Sequence, residues 1–409
     1  MKQLLAVRDF RLLFIGQAMS NWGDGLTTIT LLILTQRLTG SVAAVAGTAI
    51  AVALPQLLFG MLAGVYVDRW DRRRVMIVSD VVRGLLVLGF IAVGSSDDLW
   101  LLYAIAFLQA GVGVFFNPAK GALIPRIVGR ERLLAANSMM ETSRVVFSLL
   151  GTAAAGVWAG VGDVIWPIFV ADSATFIASA FFELAIRTPS RPERTASPDR
   201  VFTEMMSGIR AALSSRTLVG ILVGAGILML GLGAVNVLLV PFVVGDLGVS
   251  EAWFGALEAS QVVSMVASGT LVAVLATRFR PTSLVSTALM GVGAVIASIS
   301  LVTEAWHLMV VLFAVGWFVT PLQASVSTLV QSEVPDEMRG RIGSALGTVI
   351  GSANVASMAL AGGAAAFLGT RNVFVASGVI AVVAGLLTVW LFRDVTVSSP
   401  EPDPAPVSA

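Results

Sequence analysis

Six acidic side chains stand inside stretches that are otherwise apolar: Asp24, Asp80, Glu141, Asp172, Glu183 and Glu258. An ionisable group in a membrane span costs on the order of 2.5 to 3.5 kcal/mol on insertion scales, which makes each a candidate for moving ions or protons. Spacing separates them. Asp80 precedes Arg83 by three residues, Glu141 precedes Arg144 by three and Glu183 precedes Arg187 by four. Such pairs neutralise one another along one helix face and read as structural. Asp24 has no basic residue within one turn and stands thirteen residues beyond Arg11, roughly 20 Å along a helix axis. Burial penalises the charged form of an unpaired carboxylate, so Asp24 could take up a proton; the competing reading is a hydrogen bond that holds neighbouring helices together. Glu258 and Asp172, seven or eight residues from the ends of their spans, are the next proton-coupling candidates. Gln17, Ser20, Asn21, Gln109, Asn236, Gln261 and Gln323 could line the same cavity, and Trp22 and Trp317 could stack an apolar substrate.

The stretches that carry these groups fix the class of the molecule. The chain of 409 residues is 56% apolar with 40 glycines, above the 45 to 50% usual for soluble domains, and reads as an all-α integral membrane protein. Twelve runs approach the roughly 20 residues that span the hydrocarbon core: 11–36, 42–66, 75–94, 99–118, 137–161, 164–186, 217–244, 251–276, 283–302, 306–329, 343–367 and 372–392. With both termini cytoplasmic, nearly every loop Lys and Arg faces inside, Lys120 counted among them, while Arg37 and Arg371 are left at solvated outer loop ends. That asymmetry is the one positive-inside topology requires. A Pro- and Arg-rich stretch after span six makes a cytoplasmic linker, 188–216, whose 201–215 part has the spacing of a surface helix. It divides a first six-helix bundle, 1–187, from a second, 217–393, with a disordered Pro-rich tail at 394–409. Two landmarks repeat between the halves: Asp68-Arg69 with Thr277-Arg278, offset by 209, and Pro125 with Pro335, offset by 210. A common period suggests two bundles related by a pseudo-two-fold axis.

A net charge of +1 disfavours a nucleic-acid partner. The absence of Cys and a lone His307 leave no ligand set for a metal, and no Ser-His constellation or phosphate-binding Gly-rich loop supports an enzyme or an ATP-driven pump.

The loop 64–74, Gly-Val-Tyr-Val-Asp-Arg-Trp-Asp-Arg-Arg-Arg, concentrates charge in a chain that is only 12% charged. Together with Phe14-Ile-Gly-Gln-Ala-Met-Ser-Asn-Trp-Gly-Asp24, Ala136-Asn-Ser, Ala171-Asp-Ser-Ala-Thr-Phe176 and Gln331-Ser-Glu-Val-Pro-Asp-Glu-Met-Arg-Gly-Arg341, it resembles the major facilitator superfamily, in the bacterial branch of macrolide efflux proteins and the enterobactin exporter. The resemblance implies a cytoplasmic latch of Gly64, Asp68, Arg69, Arg72, Arg73, Asp80, Arg83, Glu141, Arg144 and Arg341, with Asp68 near the start of helix 11 around Gly343. A carboxylate is favoured at a helix N-terminus by a few tenths to about 1 kcal/mol. Gly151-Thr-Ala-Ala-Ala-Gly156 matches the antiporter signature of helix 5, with Thr152 and Ala155 in place of its Pro and a Gly.

The expectation is a twelve-helix secondary transporter of the bacterial inner membrane, acting as a monomer with lipid, protons and an amphipathic small molecule (a drug, antibiotic or siderophore) as partners. It would export by proton antiport and need no cofactor beyond the proton gradient. A proton-independent uniporter or importer of a small amphipathic metabolite or lipid is the alternative.

Overall fold

The computed structural model describes residues 2–67, 69–162, 164–190, 206, 210, 213, 215–334 and 336–393. Asp68, most of the expected linker and surface helix, and the 394–409 tail lie outside them. Among the described residues, twelve long helices follow one another: α1 Arg8–Thr39, α2 Val42–Val67, α3 Arg72–Leu88, α4 Leu99–Val128, α5 Leu133–Val161, α6 Trp166–Leu184, α7 Arg216–Val240, α8 Trp253–Arg278, α9 Pro281–Ser298, α10 Ala305–Glu333, α11 Asp336–Leu368 and α12 Thr370–Phe392. Ten of them are long and apolar enough to cross a membrane; α1 and α8 are the two that are not counted. The shortfall of α1 traces to Gln17, Ser20, Asn21 and Asp24, the polar residues that make it functionally interesting.

Several helices outrun the apolar stretches that announce them. α4 passes through Pro118 and Pro125 to Val128, so Lys120 lies within a helix and not in a loop. Inside a bundle, neighbouring helices satisfy the backbone groups that a proline frees, so proline does not end the helix as it would in water. Ends are set by specific groups. Gly40 takes φ +60° to close α1, its N–H donating to the Gln36 carbonyl at 2.8 Å, a conformation that glycine adopts without steric cost. Asp71 caps α3 by accepting the Arg74 N–H at 3.0 Å.

Packing follows a repeated scheme. α1 lies on α5 and α6, α2 on α4, and α3 on α4 and α6; six helices later, α7 lies on α11 and α12, α8 on α10, and α9 on α10 and α12. The two sets meet through α2 with α11 and α5 with α8. Small residues allow the closest approaches, as they do where apolar surface gives no net drive to association in lipid. A Cβ on Gly25 would strike the Ser148 carbonyl of α5, and one on Gly151 the Trp22 carbonyl of α1, so these backbones cross in contact.

The sets join at one end. A Cβ on Gly156 would lie 2.9 Å from the Glu251 carbonyl and one on Gly160 2.6 Å from the Ser250 hydroxyl, while Gly362 abuts Ala46. Toward the opposite end α2 and α11 part, leaving a cavity of about 460 Å3 between Gln56 and Gly60 on one side and Gly347 and Asn354 on the other.

Candidate functional site

α1 turns its polar face into a cavity of about 270 Å3 lined by the first five helices. Gln17, Ser20, Asn21 and Asp24 from α1 meet Gln56 from α2, Arg83 from α3, Asn117 and Lys120 from α4, and Arg144 and Ser148 from α5. Helical spacing brings each group to the wall: Gln17, Asn21 and Asp24 recur at four and three residues, as do Gly113, Asn117 and Lys120.

The pairing differs from the one that spacing suggests. Arg83 does not fold back on Asp80 but reaches across to α1 and pairs with Asp24, its guanidinium lying 4.2 Å over the Phe176 ring. Asp24 is therefore an ion-paired group facing the cavity and not an isolated acid. The flexible Arg side chain gains both a counter-charge and an aromatic face by crossing, which a neighbour on its own helix would not supply. Lys120 donates to the Gln17 side-chain carbonyl at 3.3 Å, and the other end of that amide, Nε2, has no partner although Gln17 is only 3% exposed.

Deeper between α3 and α6, Asp80 is 0% and Glu183 1% exposed, and none of their four carboxylate oxygens has a hydrogen-bond partner. Glu183 does not pair with Arg187 as its spacing suggests. It lies within electrostatic reach of Asp80 and Lys120. Asp172 is also fully buried, and accepts from the Thr27 hydroxyl of α1 and, at 3.3 Å, from Thr175.

Glu258, Asn236 and Gln261 line a second cavity of about 370 Å3 between the two sets of helices, walled by Thr28, Leu32, Leu232, Leu239, Leu312 and Met358. Val52 and Ala53 of α2 border it and the neighbouring cavities alike, so the three adjoin along one helix. Gln109, Trp22, Trp317 and Gln323 do not line these cavities: Gln109 is buried in α4, Trp22 packs on the core, Trp317 lies exposed beside Phe313, and Gln323 is exposed.

The arginine-rich loop ties α3 to α6 within its own half. Asp71 accepts from the Ser190 hydroxyl at 2.7 Å, and Arg73 donates to the backbone carbonyls of Glu183, at 2.9 Å, and Leu184. Partial burial of Asp71 works against ionisation, but the Ser190 hydroxyl and the Arg74 N–H outweigh it and hold the carboxyl below its usual range. Arg72 is buried, Gly64 has open space around it, and Glu141 pairs locally with Arg144 at 2.5 Å in an exposed position. This loop makes contacts that the latch expectation did not include, while Asp68, its central residue, and the side chain of Arg341 are not among those described.

Arg37 and Arg371, expected at solvated loop ends, are both engaged. Arg37 bridges the two sets of helices, donating to Glu251 at 2.9 Å and to the Ala159 carbonyl at 2.5 Å. Arg371 donates to the Ser300 carbonyl at 2.6 Å and lies over the Phe242 ring. A fourth run that ends at Pro118 puts Lys120 in a loop, which hides its cavity role, and the Asn117-to-Lys120 spacing is the available signal; Asn117 and Gln56, single amides inside apolar runs, carry no such mark.

The family model described as "Transmembrane secretion effector" matches residues 4–403. A protein of Bacillus subtilis named as a bacilysin exporter, BacE, is 30% identical over 210 residues, 51% of this chain, and the chain spans about half of that relative's length, 52%. Enterobactin exporter EntS of Citrobacter koseri is 27% identical over 408 residues, covering 97% of this chain and 96% of that one. Macrolide efflux protein A of Streptococcus pyogenes is 23% identical over 375 residues, 90% of this chain and 92% of that one. Among solved structures, a bacterial homologue of the human lysosomal transporter Spinster, inward-facing and unoccupied, superposes with a TM-score of 0.75 at 15% identity, covering 94% of this chain and 96% of that one. An inward-facing bacterial homologue of the iron transporter ferroportin gives 0.68 at 17% identity, with 94% and 98% covered. At these identities the structural likeness speaks for the fold alone.

Proposed function

The chain belongs to the transmembrane secretion effector family of the major facilitator superfamily, and from that membership we propose that it exports an amphipathic small molecule across the bacterial inner membrane by alternating access, driven by inward proton movement. The observation that carries this reading is the juxtaposition of a charged, amide-lined cavity with a largely apolar one, the two meeting along α2. A polar lobe can orient a substrate's head group while an apolar lobe takes up its body, the usual make-up of a small-molecule site.

In this proposal α1 and α8 also cross the membrane, giving twelve spans with both termini cytoplasmic. Their polar residues are shielded by the bundle, and the charge asymmetry of the loops supports the orientation. Residues 1–187 and 217–393 form the two bundles, related by a pseudo-two-fold axis; the recurrence of the packing scheme six helices on supports that division. The closed end at Arg37 is the outer one, and the parted end faces the cytoplasm, ready to load cargo. Asp24, Asp172 and Glu258 remain coupling candidates, Asp24 through its exchangeable partnership with Arg83.

Flux in everted membrane vesicles tests the proposal. Accumulation of compounds chosen from a drug and siderophore susceptibility profile should require an acidic vesicle interior. Equal accumulation without the gradient would favour the uniporter, a reading to which Thr152 and Ala155 in the helix 5 signature lend support; no accumulation of any compound would set export aside.

A further inference from the structure

We infer that Asp172, Asp24, Asp80 and Glu183 form one proton-holding ladder beside the cargo cavity, with Asp80 and Glu183, not Asp24 alone, holding the exchanged proton at its inner end. The inference rests on the proton-coupled reading above and assigns that coupling to particular groups.

Asp172 and Glu183 lie eleven residues apart on α6, roughly 16 Å along its axis; Asp24 on α1 stands level with Asp172, next to Gly23, on which a Cβ would strike the Asp172 carboxylate, and Asp80 on α3 lies beside Ser179, between the two. Each acid lies within electrostatic reach of the next: Asp172 with Asp24, Asp24 with Asp80, Asp80 with Glu183. The ladder runs from near the Arg37 end of α6 to within one residue of its opposite end.

Among the described residues, two cations face the four carboxylates: Arg83 on α3, paired with Asp24, and Lys120 on α4. On α5, Glu141 and Arg144 cancel one another. On the cytoplasmic side of Glu183, Arg73 is committed to backbone carbonyls. Four acids against two cations leave two negative charges in excess, and two bound protons bring the cluster to neutrality. Uncompensated buried charge is costly, and like carboxylates in one apolar site do not all ionise together.

The third observation separates Asp80 and Glu183 from the rest. Asp24 has its arginine and Asp172 its two threonines, whereas the oxygens of Asp80 and Glu183 are without hydrogen bonds. Between them on α6, the Ser179 hydroxyl is 0% exposed and stands close to Asp80 without meeting hydrogen-bond geometry. Unsatisfied buried polar atoms are rare in native proteins and call for a reason; two carboxylates that exchange protons supply one. In each transfer one protonated carboxyl loses its proton as the neighbouring carboxylate gains it. Water at the Arg37 end supplies the proton and water beyond Glu183 receives it.

The test is infrared spectroscopy of the purified protein in lipid, titrated with pH in the absence of any cargo. The wild type should show a titrating C=O stretch from protonated carboxyl groups, part of which is lost in both Asp80→Asn and Glu183→Gln and kept in the exposed control Glu131→Gln. A wild type with no titrating band, or a band unchanged in either variant, overturns the ladder. Should Asp80→Asn fail to fold, Glu183→Gln and the wild-type titration decide alone. Because the band is read without transport, it stands apart from the export reading: gradient-dependent flux with an unchanged band sinks the ladder only, and gradient-independent flux sinks the coupling only.

Discussion

Asp24 and Arg83 illustrate how a pair can be hidden from a sequence. The spacing of Asp80 and Arg83 points to a partnership on one helix, yet Arg83 crosses to α1, because crossing also gives it the Phe176 face. Replacing Asp24 by Asn leaves that guanidinium without its counter-charge. Since the Asp24 side chain is 38% exposed to the cavity, the stability loss should be modest, on the order of 1 kcal/mol. Gradient-driven export should be abolished; a folded Asp24→Asn protein with wild-type flux would remove this residue from the mechanism. Asp71, outside the spans, allows a pH prediction. Its folded carboxyl sits below the ordinary 3.8, so its contribution is fully present above that value and fades as pH falls through the lower, folded one. Asp71→Ala should therefore cost about 1 kcal/mol at neutral pH, as loss of a helix cap does, and progressively less below pH 4, as read by hydrogen exchange of the Arg74 amide. Equal protection of that amide at pH 7 in both proteins would count against the cap.

At the scale of elements, what was legible was whatever apolar length alone determines. Twelve apolar runs correspond to the twelve long helices among the described residues, but ends differ by several residues, as where α4 continues past Pro118 to Val128 and where α11 begins at Asp336, before the apolar run at 343. Crossings between helices were less legible. The two outer glycines of the helix 5 signature carry no mark of what they face, and they serve different neighbours: Gly151 meets α1, and Gly156 meets the start of α8 in the other half. Gly156→Val should wedge the halves apart at the Arg37 end and leave the α1 crossing intact. The chain has no Cys, so a Thr28→Cys probe in the second cavity is unique. Its labelling by a membrane-impermeant maleimide applied from that side should accelerate severalfold in the Gly156→Val background; an unchanged rate would show that this contact does not hold the end shut.

For the whole molecule, closure rests on groups that the sequence placed in water. The expected asymmetry of positive charge singled out Arg37 as an exception, and the exception is the residue that ties α1 to Glu251 across the halves. A partly exposed ion pair contributes roughly 0.2 to 1 kcal/mol, and about 1 kcal/mol changes a two-state population about fivefold. Arg37→Gln should thus raise Thr28→Cys labelling by up to about that factor, and Glu251→Gln should add little more once Arg37 is gone. Additive effects would mean that the two residues act separately. Substrate identity was not legible, because the cavity walls draw single residues from many helices. The wall contributed by the second half, with Leu232, Val235, Leu312 and Met358 around Glu258, carries little charge, whereas the acids and cations of the ladder belong to the first half. Under the proposed export, such separation bears on evolvability: apolar positions of the second half other than Glu258 are free to change which compound is carried while the acids and cations of the first half stay unaltered. Variants at Leu232 or Met358 should therefore redraw a resistance profile without losing dependence on the gradient.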